Sequence, residues 1–142
     1  MLTGDDGSRT VYTYDDRGLQ VQMTDYEADG KLTLDVHYEH NQSGDCTGWT
    51  AYDPQGAIFR RWEVDYNSKG LESETREYGK DGSMIRRELK VYNDSNRLSE
   101  VHHYDSTNVM RSKEVYRFDE NSEMIEVIFL DLEGKRINEP AA

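Results

Sequence analysis

The stretch Tyr66-Asn67-Ser68-Lys69-Gly70-Leu71 decides the fold, because variants of it recur ten times along the chain. In each copy an aromatic or other large residue is followed four positions later by Gly, or by Asn or Ser in its place. The ten turn residues are Gly18, Gly30, Gly44, Gly56, Gly70, Gly82, Asn96, Asn108, Ser122 and Gly134. Their spacing alternates between 12 and 14 residues, so the chain carries a 26-residue internal repeat.

The repeated Gly, Asn and Ser positions predict tight turns. Gly reaches positive φ freely and Asn tolerates it better than most residues, whereas Ser122 is the weakest member and predicts a looser turn. Between the turns lie about eight to ten residues rich in Tyr, Val, Thr, Leu and Ile, which is strand composition and strand length. Because such short connections join antiparallel neighbours, the sequence predicts an all-β fold. Its architecture is an antiparallel meander of about ten or eleven strands built from 26-residue two-strand repeats.

We expect a single β-repeat domain over residues 1–138 and a disordered tail over residues 139–142. Three columns of residues 26 apart stay largely apolar and are predicted to form the core just inside the turns. Their members are Leu32, Ile58, Met84 and Met110; Tyr26, Tyr52, Tyr78, Tyr104 and Leu130; and Tyr14, Tyr66, Tyr92 and Phe118. The columns at strand centres are more polar, which indicates an open or a curled single sheet whose two faces are not both covered.

The composition excludes some classes of partner. The 142 residues include 17 Lys and Arg against 29 Asp and Glu, a formal net charge of −12. Nucleic acids and anionic membrane surfaces require basic patches, so we expect neither, and a basic protein partner fits the charge better. The strands at the two ends of a sheet also favour pairing of two copies into an edge-strand homodimer.

The expected location is the cytoplasm. Cys46 is the one cysteine, so no internal disulfide forms, and no apolar run approaches the length of a membrane helix. The first residues lack the basic and apolar segments of a signal peptide. A fragment of a longer secreted repeat protein would have the same features, and secretion is the alternative.

Six residues form the candidate binding site. Arg60, Arg61, Arg86 and Arg87 lie at strand centres in pairs 26 residues apart, and Trp49 and Trp62 lie close to the first pair by register. Arg and Trp together are typical of the residues that dominate binding energy at protein interfaces. The alternative is a structural ladder in which the arginines pair with acids of the intervening strand, namely Glu72, Glu74 and Glu77.

No residue pattern indicates catalysis, a metal site or a cofactor. The histidines His37 and His40 lie about five strands from His102 and His103, too far apart in a flat sheet to share a metal. Cys46 has no sequence partner that would activate it, and the acidic turns match no dedicated calcium loop. We therefore expect a protein that is not an enzyme and binds no cofactor.

Some of the turn motifs resemble those of a known family. Tyr14-Asp15-Asp16-Arg17-Gly18-Leu19 and Tyr92-Asn93-Asp94-Ser95-Asn96-Arg97-Leu98 are similar to the Tyr-Asp-x-x-Gly-Arg-Leu motif of tyrosine–aspartate (YD) repeats in bacterial rearrangement-hotspot (RHS) proteins. The resemblance covers about residues 11 to 135, and the looser MORN-variant repeats are similar as well. It implies β-hairpin architecture with a binding or enclosing role and no catalytic residues within the repeats.

Two functional hypotheses follow. The first is a non-catalytic protein-binding β-repeat module, which would act as an antitoxin or immunity-type inhibitor of a basic partner. The second is a carbohydrate- or cell-surface-binding fragment of a larger secreted YD-repeat protein that uses exposed Tyr and Trp side chains.

Overall fold

Every regular element in the computed structural model is a β-strand, within the residues that the structure describes, 2–3 and 6–137. The strands are β1 (Leu2–Thr3), β2 (Arg9–Tyr14), β3 (Gln20–Tyr26), β4 (Leu32–His40), β5 (Cys46–Tyr52), β6 (Ile58–Tyr66), β7 (Glu72–Tyr78), β8 (Met84–Tyr92), β9 (Leu98–Tyr104), β10 (Met110–Phe118), β11 (Met124–Asp131) and β12 (Arg136–Ile137). They follow one another in the sheet in chain order. The predicted all-β antiparallel meander is confirmed, with ten longer strands between two of only two residues.

The backbone groups into two compact units. The first unit runs up to Val64 and includes Glu77–Ser83, and the second comprises Asp65–Arg76 and continues from Met84. Each unit is described below by itself. The expectation of one domain over residues 1–138 stays a prediction, and the predicted tail, residues 139–142, lies outside the described residues.

All ten predicted turn residues adopt the left-handed conformation, with φ between 61° and 89°. The residue that follows the aromatic position, here called the first turn residue, makes two backbone hydrogen bonds in every turn. Its N–H donates to the carbonyl four residues on, and its carbonyl accepts from the N–H three residues on, at 2.8–3.1 Å. This is a three-residue hairpin loop that ends in a left-handed residue. The prediction of a looser turn at Ser122 is wrong, because its φ is 62° and both hydrogen bonds are present.

The first turn residue is Asp or Asn in most turns because its side chain organises the loop. In the first such turn, the Asp15 carboxylate accepts hydrogen bonds from the backbone N–H groups of Arg17 and Leu19, both at 2.9 Å. The equivalent residues that bind two amides in this way are Asp53, Asn67, Asn93, Asp105, Asp119 and Asp131. These Asx interactions satisfy two backbone N–H donors in each loop.

Two turns begin with residues that cannot do this, and another Asp compensates. Where Glu27 and Gly79 are the first turn residues, Asp29 and Asp81 each accept a hydrogen bond from the backbone two residues on, at 2.9 and 3.0 Å. One of the two backbone N–H groups of the loop is thereby still bound by a carboxylate although the motif is changed.

The aromatic position before each turn fixes the strand register. Tyr14 pairs with Gln20, Tyr26 with Leu32 and Tyr52 with Ile58, always six residues apart, and the register shifts by one residue next to each of these pairs. A bulge of this kind increases twist and re-aims the neighbouring side chains. The same shift occurs in the β4–β5, β8–β9, β9–β10 and β10–β11 hairpins, so side chains at equivalent positions of these repeats reach the same face.

The buried residues do not lie where the sequence placed the core. No described member of the three apolar columns is buried, and Tyr14 and Ile58 are 57% and 43% exposed. The residues that are buried are instead mostly small or β-branched: Val36, Ala51, Val64, Val101, Thr24, Thr50 and Thr75, together with Glu77. With only strands in the described chain, a side chain is covered chiefly by its neighbours on the same sheet. Small residues flanked by larger side chains therefore become buried, while the large residues beside the turns stay partly exposed.

Candidate binding surface

Trp49 and Trp62 form the centre of the candidate surface, in the first unit. They are directly opposite each other in the β5–β6 register. Their ring centroids are 6.3 Å apart and the ring planes lie within 7° of parallel. Side chains alternate along a strand, so Trp62 shares its face with Arg60 and Val64, and Trp49 shares the same face with Ala51. The two tryptophans of the prediction are thus brought together.

A groove of about 360 Å³ opens on this face. We call it the aromatic groove, and its lining residues are Leu34, Val36, Tyr38, Trp49, Ala51, Phe59 and Arg60. Val36 and Ala51, opposite each other on β4 and β5, are buried. Larger side chains flank them, and the difference in size leaves the depression. Burial raises the pKa of the Tyr38 phenol, which stays neutral at physiological pH.

Arg60 gives the aromatic groove its charged side. One of its Nη atoms forms an ion pair with Glu77, a carboxylate whose residue is only 5% exposed. This is one of the cross-strand pairs that the ladder alternative predicts. The Nε atom of Arg60 is buried and has no hydrogen-bond partner in the described part of the chain. The guanidinium is therefore only partly satisfied, although its side chain is 40% exposed.

Arg61 lies on the opposite face, as expected for the next residue of a strand. Its guanidinium contacts Glu63 at 3.0 Å, the Thr50 hydroxyl at 3.1 Å and Glu39 at 3.8 Å. The hydrogen bond to Glu63 is the main cause that raises the pKa of Arg61. The ladder alternative named Glu72, Glu74 and Glu77, and none of these contacts involves them. Arg61 instead pairs with Glu63, which lies two residues further along the same strand and therefore on the same face.

Arg87 belongs to the second unit and is held by several groups. It forms an ion pair with Glu74 at 2.7 Å, as the ladder predicts, and a hydrogen bond to Asn108 at 3.1 Å. Its guanidinium carbon also lies 3.9 Å from the centroid of the Tyr104 ring, a cation–π distance. These contacts make Arg87 part of a structural network.

Arg86 is exposed on the same strand, β8, and its charge is one of the weaker causes that lower the pKa of Glu88. Among the six predicted site residues, the structure places Trp49, Trp62 and Arg60 on one face of the first unit, and Arg61 on the other face. The two remaining arginines lie in the second unit.

The sequence reasoning missed a second charged cluster, which surrounds His103 in the second unit. The Nδ1 atom of His103 lies 3.2 Å from a Glu88 oxygen, and its Nε2 atom lies 3.1 Å from a Glu114 oxygen. The two acids come from the strands on either side, and their hydrogen bonds raise the pKa of His103. The contact with His103 lowers the pKa of Glu88. The predicted meander places β9 between β8 and β10. That order alone would have identified Glu88 and Glu114, on the two flanking strands, as candidate neighbours of His103.

Tyr116 extends this cluster. Its hydroxyl donates to the second oxygen of Glu114, and burial followed by that hydrogen bond raises its pKa to about 12. Within residues 2–3 and 6–137 no group of three or more His, Cys, Asp or Glu side chains is arranged to hold a metal ion. The cluster is a hydrogen-bonded ion-pair network.

No helix among the described residues has the length and apolar character that crossing a membrane requires.

Comparisons with known proteins give no family. No protein-family model and no curated protein matches the chain. Among solved structures, it is similar to a porin-like protein from Bacteroides uniformis, with 12% identity and a TM-score of 0.42 over 92% of this chain and 58% of that one. It is similar to a TcdB2–TccC3–Cdc42 structure, with 12% identity and a TM-score of 0.31 over 90% of this chain and 9% of that one. A Bacteroides fragilis protein of unknown function gives 16% identity and a TM-score of 0.34 over 85% of this chain and 90% of that one.

The chain thus spans little more than half of the porin-like protein and a small part of the TcdB2–TccC3 chain. At these identities and TM-scores, the likenesses carry no argument about activity or partners.

Proposed function

We propose that this chain is a non-catalytic protein-binding module that anchors its partner in the aromatic groove. The observation that carries this proposal is the combination of the stacked Trp49–Trp62 pair, the groove beside it and the charged Arg60 at its wall. Trp, Tyr and Arg are the residues most enriched among those that dominate interface energies. The centre of a typical interface is likewise apolar and aromatic, with a polar rim.

The charge of the chain supports a basic partner. A net charge of −12 attracts a basic protein over distances of about a Debye length and speeds its association. Covering a basic functional surface in this way is how an antitoxin or immunity-type inhibitor would work, and we include that role in the proposal. Membership of the YD-repeat class is also part of the proposal, and the Asx-stabilised turns support it.

The test is partner capture with matched bait variants. Trp49→Ala and Tyr38→Ala remove walls of the groove, and Tyr14→Ala removes a tyrosine of the same unit that is 57% exposed and does not line the groove. Circular dichroism confirms that each bait is folded. We expect a protein that binds the wild-type chain and the Tyr14 variant but binds the groove variants roughly tenfold more weakly or worse. Equal capture by all four baits contradicts the proposal.

Two further results decide the class of partner. A basic partner predicts an affinity that falls as salt is added, because exposed charges are screened. Half-buried aromatic rings in a shallow groove also suit the faces of sugar rings, which is the observation that favours the carbohydrate-binding alternative. A glycan array in which binding depends on Trp49 but not on Tyr14 would replace the protein-binding proposal by that alternative.

A further inference from the structure

Two cationic side chains lie beside one wall of the aromatic groove although the chain as a whole is acidic. Phe59, at the wall of the groove, is 43% exposed. The guanidinium carbon of Arg60 lies 5.8 Å from the centroid of its ring, and the ammonium nitrogen of Lys80 lies 5.4 Å from it. Two cations therefore lie beside the same ring, within the distance of cation–π attraction.

Only one of these two cations is neutralised by an acid. Glu77 pairs with Arg60, whereas Lys80 has no ion pair within the described residues. The adjacent Asp81 is occupied by its own turn, where its carboxylate accepts hydrogen bonds from the backbone N–H and the hydroxyl of Ser83 at 3.0 and 2.6 Å. Lys80 is thus the cation on this side of the groove that forms no ion pair with a described acid.

The acid that faces the far side of the groove is also occupied. Asp25 lies opposite Leu34 in the β3–β4 register and accepts a hydrogen bond from the Thr10 hydroxyl at 2.6 Å. Lys80 therefore lies on the Phe59 side of the groove, whereas Asp25 is paired in register with Leu34 on the other side. A ligand with an apolar body and one anionic group would be oriented by this difference, with the anion towards Lys80 and Arg60.

The incomplete hydrogen bonding of Arg60 adds to this preference. Its buried Nε atom lacks an acceptor, and leaving such a donor unsatisfied is unfavourable. A guanidinium presents donors in a planar fork that matches a carboxylate with two parallel hydrogen bonds. Because the Arg60 side chain is 40% exposed, its guanidinium can be reached by an entering carboxylate while it keeps its contact with Glu77.

We propose that the aromatic groove binds the carboxyl-terminal residue of a protein partner when that residue is aromatic or large and apolar. The side chain would lie between Tyr38, Trp49 and Phe59, and the terminal carboxylate would lie at Arg60 and Lys80. A terminal residue carries its side chain and its carboxylate on one Cα atom, and this compact arrangement suits a groove of about 360 Å³. The inference rests on the proposed function, since it names the part of the partner that the groove takes.

The experiment uses two peptides that differ only in the anion: acetyl-Gly-Gly-Phe with a free carboxylate, and the same peptide as its carboxyl-terminal amide. The chain has two tryptophans, and both lie at the candidate surface, so intrinsic fluorescence reports binding directly. We expect the acid to bind about fivefold more tightly than the amide, the gain that one partly exposed ion pair supplies. Lys80→Gln should remove most of this ratio.

Lys69→Gln is the control, because Lys69 is an exposed lysine that contacts Asn96 in the second unit. It should keep the wild-type ratio. Equal affinities of acid and amide for the wild-type chain would overturn the inference, as would a ratio that Lys80→Gln leaves intact or the failure of both peptides to bind.

The outcome is separable from that of the proposed function. A captured partner that depends on Trp49, yet binds equally well with residues added after its own carboxyl terminus, would refute the inference and leave the protein-binding role standing.

Discussion

Gly48 and the backbone of Trp62 approach so closely that a Cβ atom at position 48 would lie 2.5 Å from the Trp62 carbonyl oxygen. Gly48 is not among the glycines with a positive φ, and it lies inside β5, where glycine is normally unfavourable. The close approach explains it: the strand beside the Trp49–Trp62 pair leaves no room for a side chain. The glycine thus belongs to the structure that presents the aromatic groove.

Replacing Gly48 by Ala should therefore disturb the tryptophan pair. Backbone is the obstructing group, so relief requires a strand shift, and overpacking of this kind costs about 2 kcal/mol. Urea unfolding measures the loss, and circular dichroism of the coupled indole rings should weaken. Thr47→Ala, one residue earlier in the same strand, is the matched control and should change both signals little. An unchanged indole signal in Gly48→Ala would show that the close approach does not position the pair.

The Asx turns predict a contrast between two adjacent aspartates. Asp15→Ala removes the acceptor of two backbone N–H groups and should lower the free energy of unfolding by about 1 kcal/mol, the usual value of such a side-chain cap. Asp15→Asn keeps the acceptor oxygen and should therefore retain most of the free energy of unfolding that Asp15→Ala loses. Asp16→Ala, in the same turn, changes the charge equally without removing those bonds. Equal losses in the two alanine variants would mean that charge, and not the hydrogen bonds, stabilises the loop.

Ser122 predicts a stabilising substitution. Its φ of 62° is left-handed, which is unfavourable for a residue with a Cβ atom. Ser122→Gly should raise the free energy of unfolding by about 0.5 kcal/mol, since the relief of strain exceeds the added freedom of the unfolded chain. Ser95→Gly, which lies one residue before the left-handed Asn96, gains no such relief and should destabilise. Thermal unfolding of the two variants gives the comparison, and destabilisation by Ser122→Gly contradicts the account of the turns.

The His103 cluster predicts a pH dependence of stability. The pKa of His103 is raised above 6.5 in the folded chain, so its contribution is complete below about pH 6.5 and is lost as pH rises through the folded value. Glu88 has a lowered pKa, and its contribution is lost as pH falls below 4.5 through the folded value. The charges of Arg86, Lys90 and Glu114 act on the same pair. The His103–Glu88 ion pair therefore stabilises the folded chain most between about pH 4.5 and about pH 6.5.

Urea unfolding at pH 6 and pH 8 measures this effect. The wild-type chain should lose more stability between the two values than His103→Gln does, and Glu88→Gln should reduce the difference by removing the main cause of the shift. Nuclear magnetic resonance titration of the His103 ring gives the folded pKa independently. Identical pH profiles of the wild-type chain and His103→Gln would contradict the assignment.

The turns and strands could be predicted because they depend on local chemistry. Gly70 and its equivalents, including the substitute Asn96, occur where the backbone needs positive φ, and that need is visible in the spacing alone. The position of the core could not be predicted in the same way. Val36 and Ala51 are buried because neighbouring strands cover them on both sides. The burial of a residue depends on the side chains of its flanking strands, and the 26-residue columns do not show these.

The candidate site was predictable only in part, for the same reason. Once the turn is known, the hairpin register sets Trp49 opposite Trp62. Which of the many acids each arginine pairs with depends instead on how far its side chain reaches. Arg60 reaches Glu77 on its own face, whereas Arg61 turns to Glu63.

The measurement that tests the binding account most directly is a two-dimensional ¹H–¹⁵N spectrum of the labelled chain with and without its captured partner. The two tryptophans give two indole N–H signals, which Trp49→Phe and Trp62→Phe assign. The account predicts that the partner shifts or broadens both indole signals and the backbone amides of Tyr38 and Ala51. Unchanged indole signals, with shifts confined to the amides of β9–β11, would contradict it.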